Sequence, residues 1–165
     1  MARVHVDIEL RWGDQDAYAH INNAAYARYL EEARVRVFEL GSARERTGME
    51  HHFRVDGRSG MKTLVANQQI EFLRVLEYSA RPVTVELWIG KLGGSSLEIH
   101  YEILDNSVVD GESIDGSEPD RTVVARAITT IVVVDGETLR PVRLTAEGRA
   151  SIVPWQDEPL VLRRS

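Results

Sequence analysis

Arg11-Trp12-Gly13-Asp14-Gln15-Asp16-Ala17-Tyr18-Ala19-His20-Ile21-Asn22-Asn23-Ala24-Ala25-Tyr26-Ala27-Arg28-Tyr29-Leu30-Glu31-Glu32-Ala33-Arg34 is the stretch on which the fold turns. It joins the end of a strand to the start of a helix. The short loop between them holds two carboxylates, a histidine and two asparagines. A helix N-terminus offers unpaired backbone N–H groups and a partial positive charge. A carboxylate beside it can attack a carbonyl, or activate water to do so, while those N–H groups polarise the carbonyl oxygen. One local segment therefore supplies both halves of an acyl-transfer site.

Upstream, Val4, Val6, Ile8 and Leu10 alternate with His5, Asp7 and Glu9. This period of two predicts a strand with one wet face. Downstream, Asn22 or Asn23 suits the helix N-cap, and Gly41 is a natural stop after Leu40. Tyr26, Leu30, Ala33, Val37 and Leu40 recur at spacings of four and three and form one apolar stripe. Arg28, Glu32 and Arg36 lie four apart on another face, where ion pairs add a few tenths of a kcal/mol. Ala24, Ala25, Ala27 and Ala33 are small enough to let the helix lie close to a sheet.

Residues 42–60 are polar and read as a long connection, followed by a strand from about Met61 to Leu76. Val83, Val85, Leu87 and Ile89 alternate with polar or bulky partners, as do Leu97, Ile99, Tyr101 and Ile103 after the Gly93-Gly94 turn. Together these runs predict a hairpin. Residues 105–120 carry six acidic side chains and no lysine or arginine, the pattern of a solvated, mobile loop. Thr122 to Val134 is nearly continuously apolar and reads as a central strand. Asp135-Gly136 turns the chain, and the extension 137–165 holds a short helix near Thr145–Ile152. One strand, one long helix and four further strands make an α+β arrangement, a mostly antiparallel five-stranded sheet wrapped around the helix. Residues 1–165 read as one domain. The sheet's edge strands invite pairing across a two-fold axis.

Composition narrows the function. The chain has 165 residues and a formal charge of −6, with no basic patch to bind nucleic acid. There is no cysteine, hence no thiolate nucleophile, disulfide or cysteine metal site. The histidines show no zinc spacing, and His51 and His52 are adjacent in a connection, so no metal is expected. No apolar stretch reaches membrane-spanning length. The N-terminus opens on an alternating strand rather than a secretory leader, so the cytoplasm is the expected compartment.

Arg11-Trp12-Gly13-Asp14-Gln15-Asp16, His20-Ile21-Asn22-Asn23, Tyr26, Tyr29-Leu30-Glu31 and Ala33-Arg34 together resemble the signature of the 4-hydroxybenzoyl-CoA thioesterase-like family. The turn Lys91-Leu92-Gly93-Gly94-Ser95-Ser96 resembles that family's turn before its fourth strand. The resemblance implies a hotdog fold and hydrolysis of an acyl-CoA thioester, or an acyl-carrier-protein thioester, without metal or cofactor. It places the catalytic carboxylate on Asp16, as base or nucleophile, and the carbonyl-polarising amide on the backbone N–H of Asn23. It also implies a homodimer or homotetramer with sites between subunits. The chain reads Arg74-Val75-Leu76 where many relatives have proline after the arginine, and its acidic loop is longer than usual.

Each candidate also has a structural role open to it. Asp16 can cap loop N–H groups, and Asp14 can brace the loop. His20 can touch substrate or orient the loop. Lys91, Ser95 and Ser96 can face a CoA phosphate, with Arg74 and Arg81 as weaker candidates. Trp12, Phe72 or Trp88 can line an acyl pocket. Glu31 and Glu32 face solvent or pair with arginines, and Tyr26 and Tyr29 read as core residues. Two alternatives to a thioesterase stand beside it. One is a non-catalytic acyl-CoA-binding hotdog protein. The other is a hotdog hydratase or dehydratase, whose Asp/His pair has four residues between. Here Asp16 and His20 have three between them and Asp14 and His20 have five, so that spacing disagrees.

Overall fold

The alternating runs become five strands of one antiparallel sheet in the computed structural model, which describes residues 3–40, 47–49, 60–107 and 122–163. The strands are β1 (Val4–Ile8), β2 (Met61–Phe72), β3 (Val83–Leu92), β4 (Ser96–Asp105) and β5 (Thr122–Asp135), in the order β1-β3-β4-β5-β2. Helix α1 (Asn23–Val35) lies on one face, and the short helix α2 (Ala146–Ile152) follows the sheet. The α+β hotdog arrangement is confirmed. β5 has a strand on either side, as its continuous apolar run requires.

Register shows how the sequence period builds the core. Val4, Leu87, Tyr101, Ala127 and Ile70 stand side by side across all five strands. The first four are fully buried beneath the helix face that carries Leu30 and Ala33. The next row belongs to the opposite face and reads His5, Glu86, Glu102, Arg126 and Glu71. One residue of slip would exchange these rows, so burial of the first pins the register.

The C-terminal segment crosses that second face. Trp88 Nε1 donates to the Glu158 carbonyl at 2.9 Å, and the Leu160 N–H donates to His100 Nδ1 at 3.0 Å. Arg3 lies over the Trp88 ring and pairs with Glu86 at 2.6 Å and Asp157 at 2.9 Å. A Cβ on Gly90 would overlap the His100 ring, so the glycine provides the space the imidazole fills.

Several boundaries differ from expectation. β1 ends at Ile8 and β2 at Phe72, where the N–H groups of Leu73 and Arg74 both turn to the Val124 carbonyl. The long helix leaves α geometry after Val35 and closes in a π-helical turn, Arg36–Leu40. This changed turn rotates the last residues off the helix stripe: Val37 and Phe38 are buried, whereas Leu40 is 67% exposed. Tyr29 joins the buried face instead. Asn22, not Asn23, is the N-cap, and Arg36 pairs with Glu32 one turn back. Gly41, His51, His52 and residues 108–121 of the acidic loop lie outside the described residues.

Candidate active site

The loop between β1 and α1 is built around Asp16. Its Oδ1 accepts the N–H of Tyr18 at 2.8 Å and that of His20 at 3.2 Å. The Asp16 N–H donates to the His20 carbonyl at 2.7 Å, and its carbonyl accepts the Ala19 N–H at 3.1 Å. Closing so tight a turn puts Ala19 at φ 62°, a left-handed conformation that costs a non-glycine residue about 1 kcal/mol. No described residue donates to Oδ2 of Asp16. One oxygen builds the loop, and the other is not tied into it.

The loop is tied to its surroundings at three points. The Asn22 N–H donates to the Asp14 carbonyl at 2.8 Å, and the Ile21 N–H to the Leu76 carbonyl at 2.8 Å. Tyr29 Oη donates to Asp14 Oδ2 at 2.6 Å. Burial first, then this contact with Asp14, pushes the Tyr29 hydroxyl far above its ordinary range, so it stays a donor. Asn22 caps α1 by accepting the Ala24 N–H at 2.9 Å. The Asn23 N–H, one residue into the helix, has no acceptor among the described residues, as the first turn of a helix dictates.

Asp16, His20 and Asn23 share one open cavity of about 380 Å³. Ile21, Tyr26, Phe72, Leu73, Arg74, Val75 and Leu76 complete its lining. Tyr26 and Phe72 meet edge to face at 5.1 Å and form its aromatic wall. Burial pushes the Tyr26 hydroxyl up to about 12, which keeps that wall uncharged. One cavity is thus lined by a carboxylate residue, the first residue of a helix and an apolar wall, residue types that suit a thioester carbonyl.

Other candidates lie elsewhere. Lys91, Ser95 and Ser96 sit at the β3–β4 turn, closed by the Gly93 N–H on the Ser96 carbonyl at 2.7 Å. Lys91 reaches Glu98 at 3.4 Å, and none of the three lines the cavity of this chain. Trp88 is fully buried on the far face of the sheet, held there by the C-terminal segment, and is no part of an acyl pocket. Trp12 is 74% exposed and packs edge-on against Tyr78. Glu31 faces solvent, and Arg81 holds the Asn106 carbonyl at 3.4 Å. Sequence reasoning missed the hydroxyl of Tyr29, because a tyrosine on a helix's buried face reads as packing. Nothing in the sequence marks Ala19, where a glycine would have signalled the turn.

Residues 10–158 match the model of the thioesterase-like superfamily. The chain belongs to that superfamily. Its class of activity is thioester hydrolysis. Among solved structures, it resembles the probable thioesterase YbaW of Escherichia coli at 26% identity, over 93% of this chain and 99% of that one (TM-score 0.66). The fold also matches a Thermus thermophilus thioesterase complexed with coenzyme A and zinc, at 23% identity, with coverages of 94% and 96% and a TM-score of 0.67. A third match is the DHNA-CoA thioesterase of Staphylococcus aureus, at 20% identity, with coverages of 93% and 91% and a TM-score of 0.66. No curated protein matches the chain.

Proposed function

We propose that the protein is an acyl-CoA thioesterase of the cytoplasm, with Asp16 as its catalytic carboxylate and the Asn23 N–H as the donor to the thioester oxygen. The observation that carries this reading is the division of labour at Asp16: Oδ1 is spent on Tyr18 and His20, Oδ2 has no donor among the described residues, and Asp16 lines the same cavity as Asn23. As a base, Asp16 takes a proton from water as the water oxygen bonds to the acyl carbon. The carbon–sulfur bond then breaks, and the proton leaves with the CoA sulfur. As a nucleophile, Asp16 itself bonds to that carbon while the carbon–sulfur bond breaks and CoA leaves as thiolate; water then cleaves the resulting anhydride to the free acid, restoring the Asp16 carboxylate and giving its proton to the thiolate. His20, anchored through its backbone, lines the cavity and is a substrate contact in this reading.

Residues 1–165 act as one domain in this reading, and two copies complete the site. β2 is an edge strand with Leu64 44%, Val65 51% and Phe72 49% exposed, and an edge of this length calls for pairing. Its end, at Phe72, borders the cavity. Lys91, Ser95 and Ser96 reach a CoA phosphate only if the β3–β4 turn comes from another subunit. A carrier-protein thioester presents the same arm and is an alternative substrate.

Release of free thiol from short, long and aromatic acyl-CoAs and from an acyl-carrier-protein ester tests the activity. At least one ester should turn over well above background. Inertness across the panel with retained binding of CoA esters would move the protein to the non-catalytic reading. Single turnover in heavy-oxygen water separates the two routes, since only the anhydride route labels Asp16.

A further inference from the structure

Arg74 is the single fixed cation among the residues that line the cavity. Arg3 is committed to Glu86 and Asp157, Arg36 to Glu32, and Arg126 to Glu102 at 2.9 Å, and none of these three lines the cavity. The guanidinium of Arg74 has no hydrogen bond or ion pair with any described residue. Its backbone, by contrast, is held firmly. The N–H groups of Leu73 and Arg74 converge on the Val124 carbonyl at 2.9 and 3.1 Å, and two residues on, the Leu76 carbonyl accepts the Ile21 N–H of the catalytic loop at 2.8 Å. Leu76 itself is buried. A free cation is thus launched from a short segment pinned both to β5 and to the loop that carries Asp16.

We propose that Arg74 selects an acyl group whose far end bears a negative charge, a carboxylate in the simplest case. This rests on the thioesterase reading above and names its substrate class. The cavity lining supplies three kinds of group: Asp16 and Asn23 for the thioester, the apolar side chains of Tyr26, Phe72 and Val75, and the cation of Arg74. An acyl chain with a polar end at each side of an apolar body has three parts to match. Arginine's planar fork meets a carboxylate with two parallel hydrogen bonds. It also offsets the repulsion that Asp16, in a chain of formal charge −6, exerts on an anionic acyl group. The phosphates of CoA are the other anions a substrate brings. The pantetheine arm holds those phosphates well away from the thioester, whereas Arg74 lines the same cavity as Asp16, so the acyl end is the anion assigned to it.

The test compares adipoyl-CoA with hexanoyl-CoA, equal in carbon count and differing in the terminal carboxylate, together with their pantetheine esters, which lack the nucleotide. The wild type should favour adipoyl-CoA in kcat/KM. Arg74→Ala should cut the adipoyl-to-hexanoyl ratio by about 10-fold or more, with Arg74→Lys in between. A ratio unchanged in Arg74→Ala overturns the proposal. So does a loss confined to the CoA esters and absent from the pantetheine esters, which would assign Arg74 to a phosphate. Titration of both CoA esters into Asp16→Asn, with and without Arg74→Ala, reads the same preference without turnover. Tighter binding of adipoyl-CoA that vanishes with Arg74 supports the proposal even if hydrolysis fails, and equal binding of the two esters overturns it.

Discussion

Tyr29 Oη lies 2.6 Å from Asp14 Oδ2 and so ties the buried face of α1 to the loop that presents Asp16. The same Asp14 oxygen accepts the Arg11 N–H at 3.1 Å, and the Asp14 carbonyl takes the N–H of the cap residue Asn22. Asp14 is therefore the hub between strand end, loop and helix start. Tyr29→Phe deletes the hydroxyl and leaves the ring packing intact. Unfolding free energy should fall by about 1–2 kcal/mol, the worth of a hydrogen bond to a charged group. Denaturant titration measures that change. In a thioesterase assay kcat should fall several-fold because Asp16 and the Asn23 N–H lose their fixed relation. Full activity in Tyr29→Phe would show that the backbone bonds alone hold the loop.

Asp16 ties the loop through Oδ1, and two variants separate that role from the chemistry proposed for its carboxylate. Asp16→Asn keeps an oxygen to accept from Tyr18 and His20, so the thermal midpoint should stay near that of the wild type. Activity should nonetheless drop by about 100-fold or more, because the amide is neither base nor nucleophile. Asp16→Ala loses both functions and should also destabilise by about 1–2 kcal/mol. Equal activity in wild type and Asp16→Asn would remove Asp16 from the chemistry.

Burial holds the His100 imidazole below its ordinary value of 6.5, against the opposing pull of Glu98. In the native chain Nδ1 accepts the Leu160 N–H, which requires that nitrogen to be unprotonated. The unfolded chain takes up a proton that the native chain resists. His100 therefore contributes stability that is present above about pH 6.5 and is lost as pH falls below it. The difference in unfolding free energy between wild type and His100→Asn should shrink from about pH 7.5 to pH 5. A difference that stays constant over that interval would exclude His100 as its source.

Gly90 and Gly94 make a matched pair. A Cβ at Gly90 overlaps the His100 ring, whereas at Gly94 it meets nothing within 4 Å. Gly90→Ala should cost about 1–3 kcal/mol as an overpacked core position. By pushing His100 off Leu160 it should also loosen the C-terminal segment and shift the fluorescence of Trp88. Gly94→Ala should change stability by no more than about 0.5 kcal/mol. Equal thermal midpoints for the two variants would contradict the packing described here.

Much of this protein is written in short-range pattern. A near-continuous apolar run marked β5 as a central strand, and alternation marked β1, β3 and β4, because side chains a residue apart point to opposite faces of a sheet. Each of those faces meets a different medium. The loop and helix start were equally legible: a cap, a carboxylate and a free amide within eight residues are a local arrangement whatever surrounds them. Contacts between segments far apart in the chain were not. Leu40 left the apolar stripe because the last helical turn changed its winding, which no spacing encodes. Trp88 looked like a pocket residue, yet chain some seventy residues later covers it on the sheet's far face. Arg74 entered the cavity because β5 and the loop pin its backbone there, and Tyr29 gained its role only when the loop folded back onto α1. Periodicity and capping act within a few residues and determine the elements. Who meets whom across the sheet depends on loop closure and on competition for buried surface, and that was left to the tertiary structure.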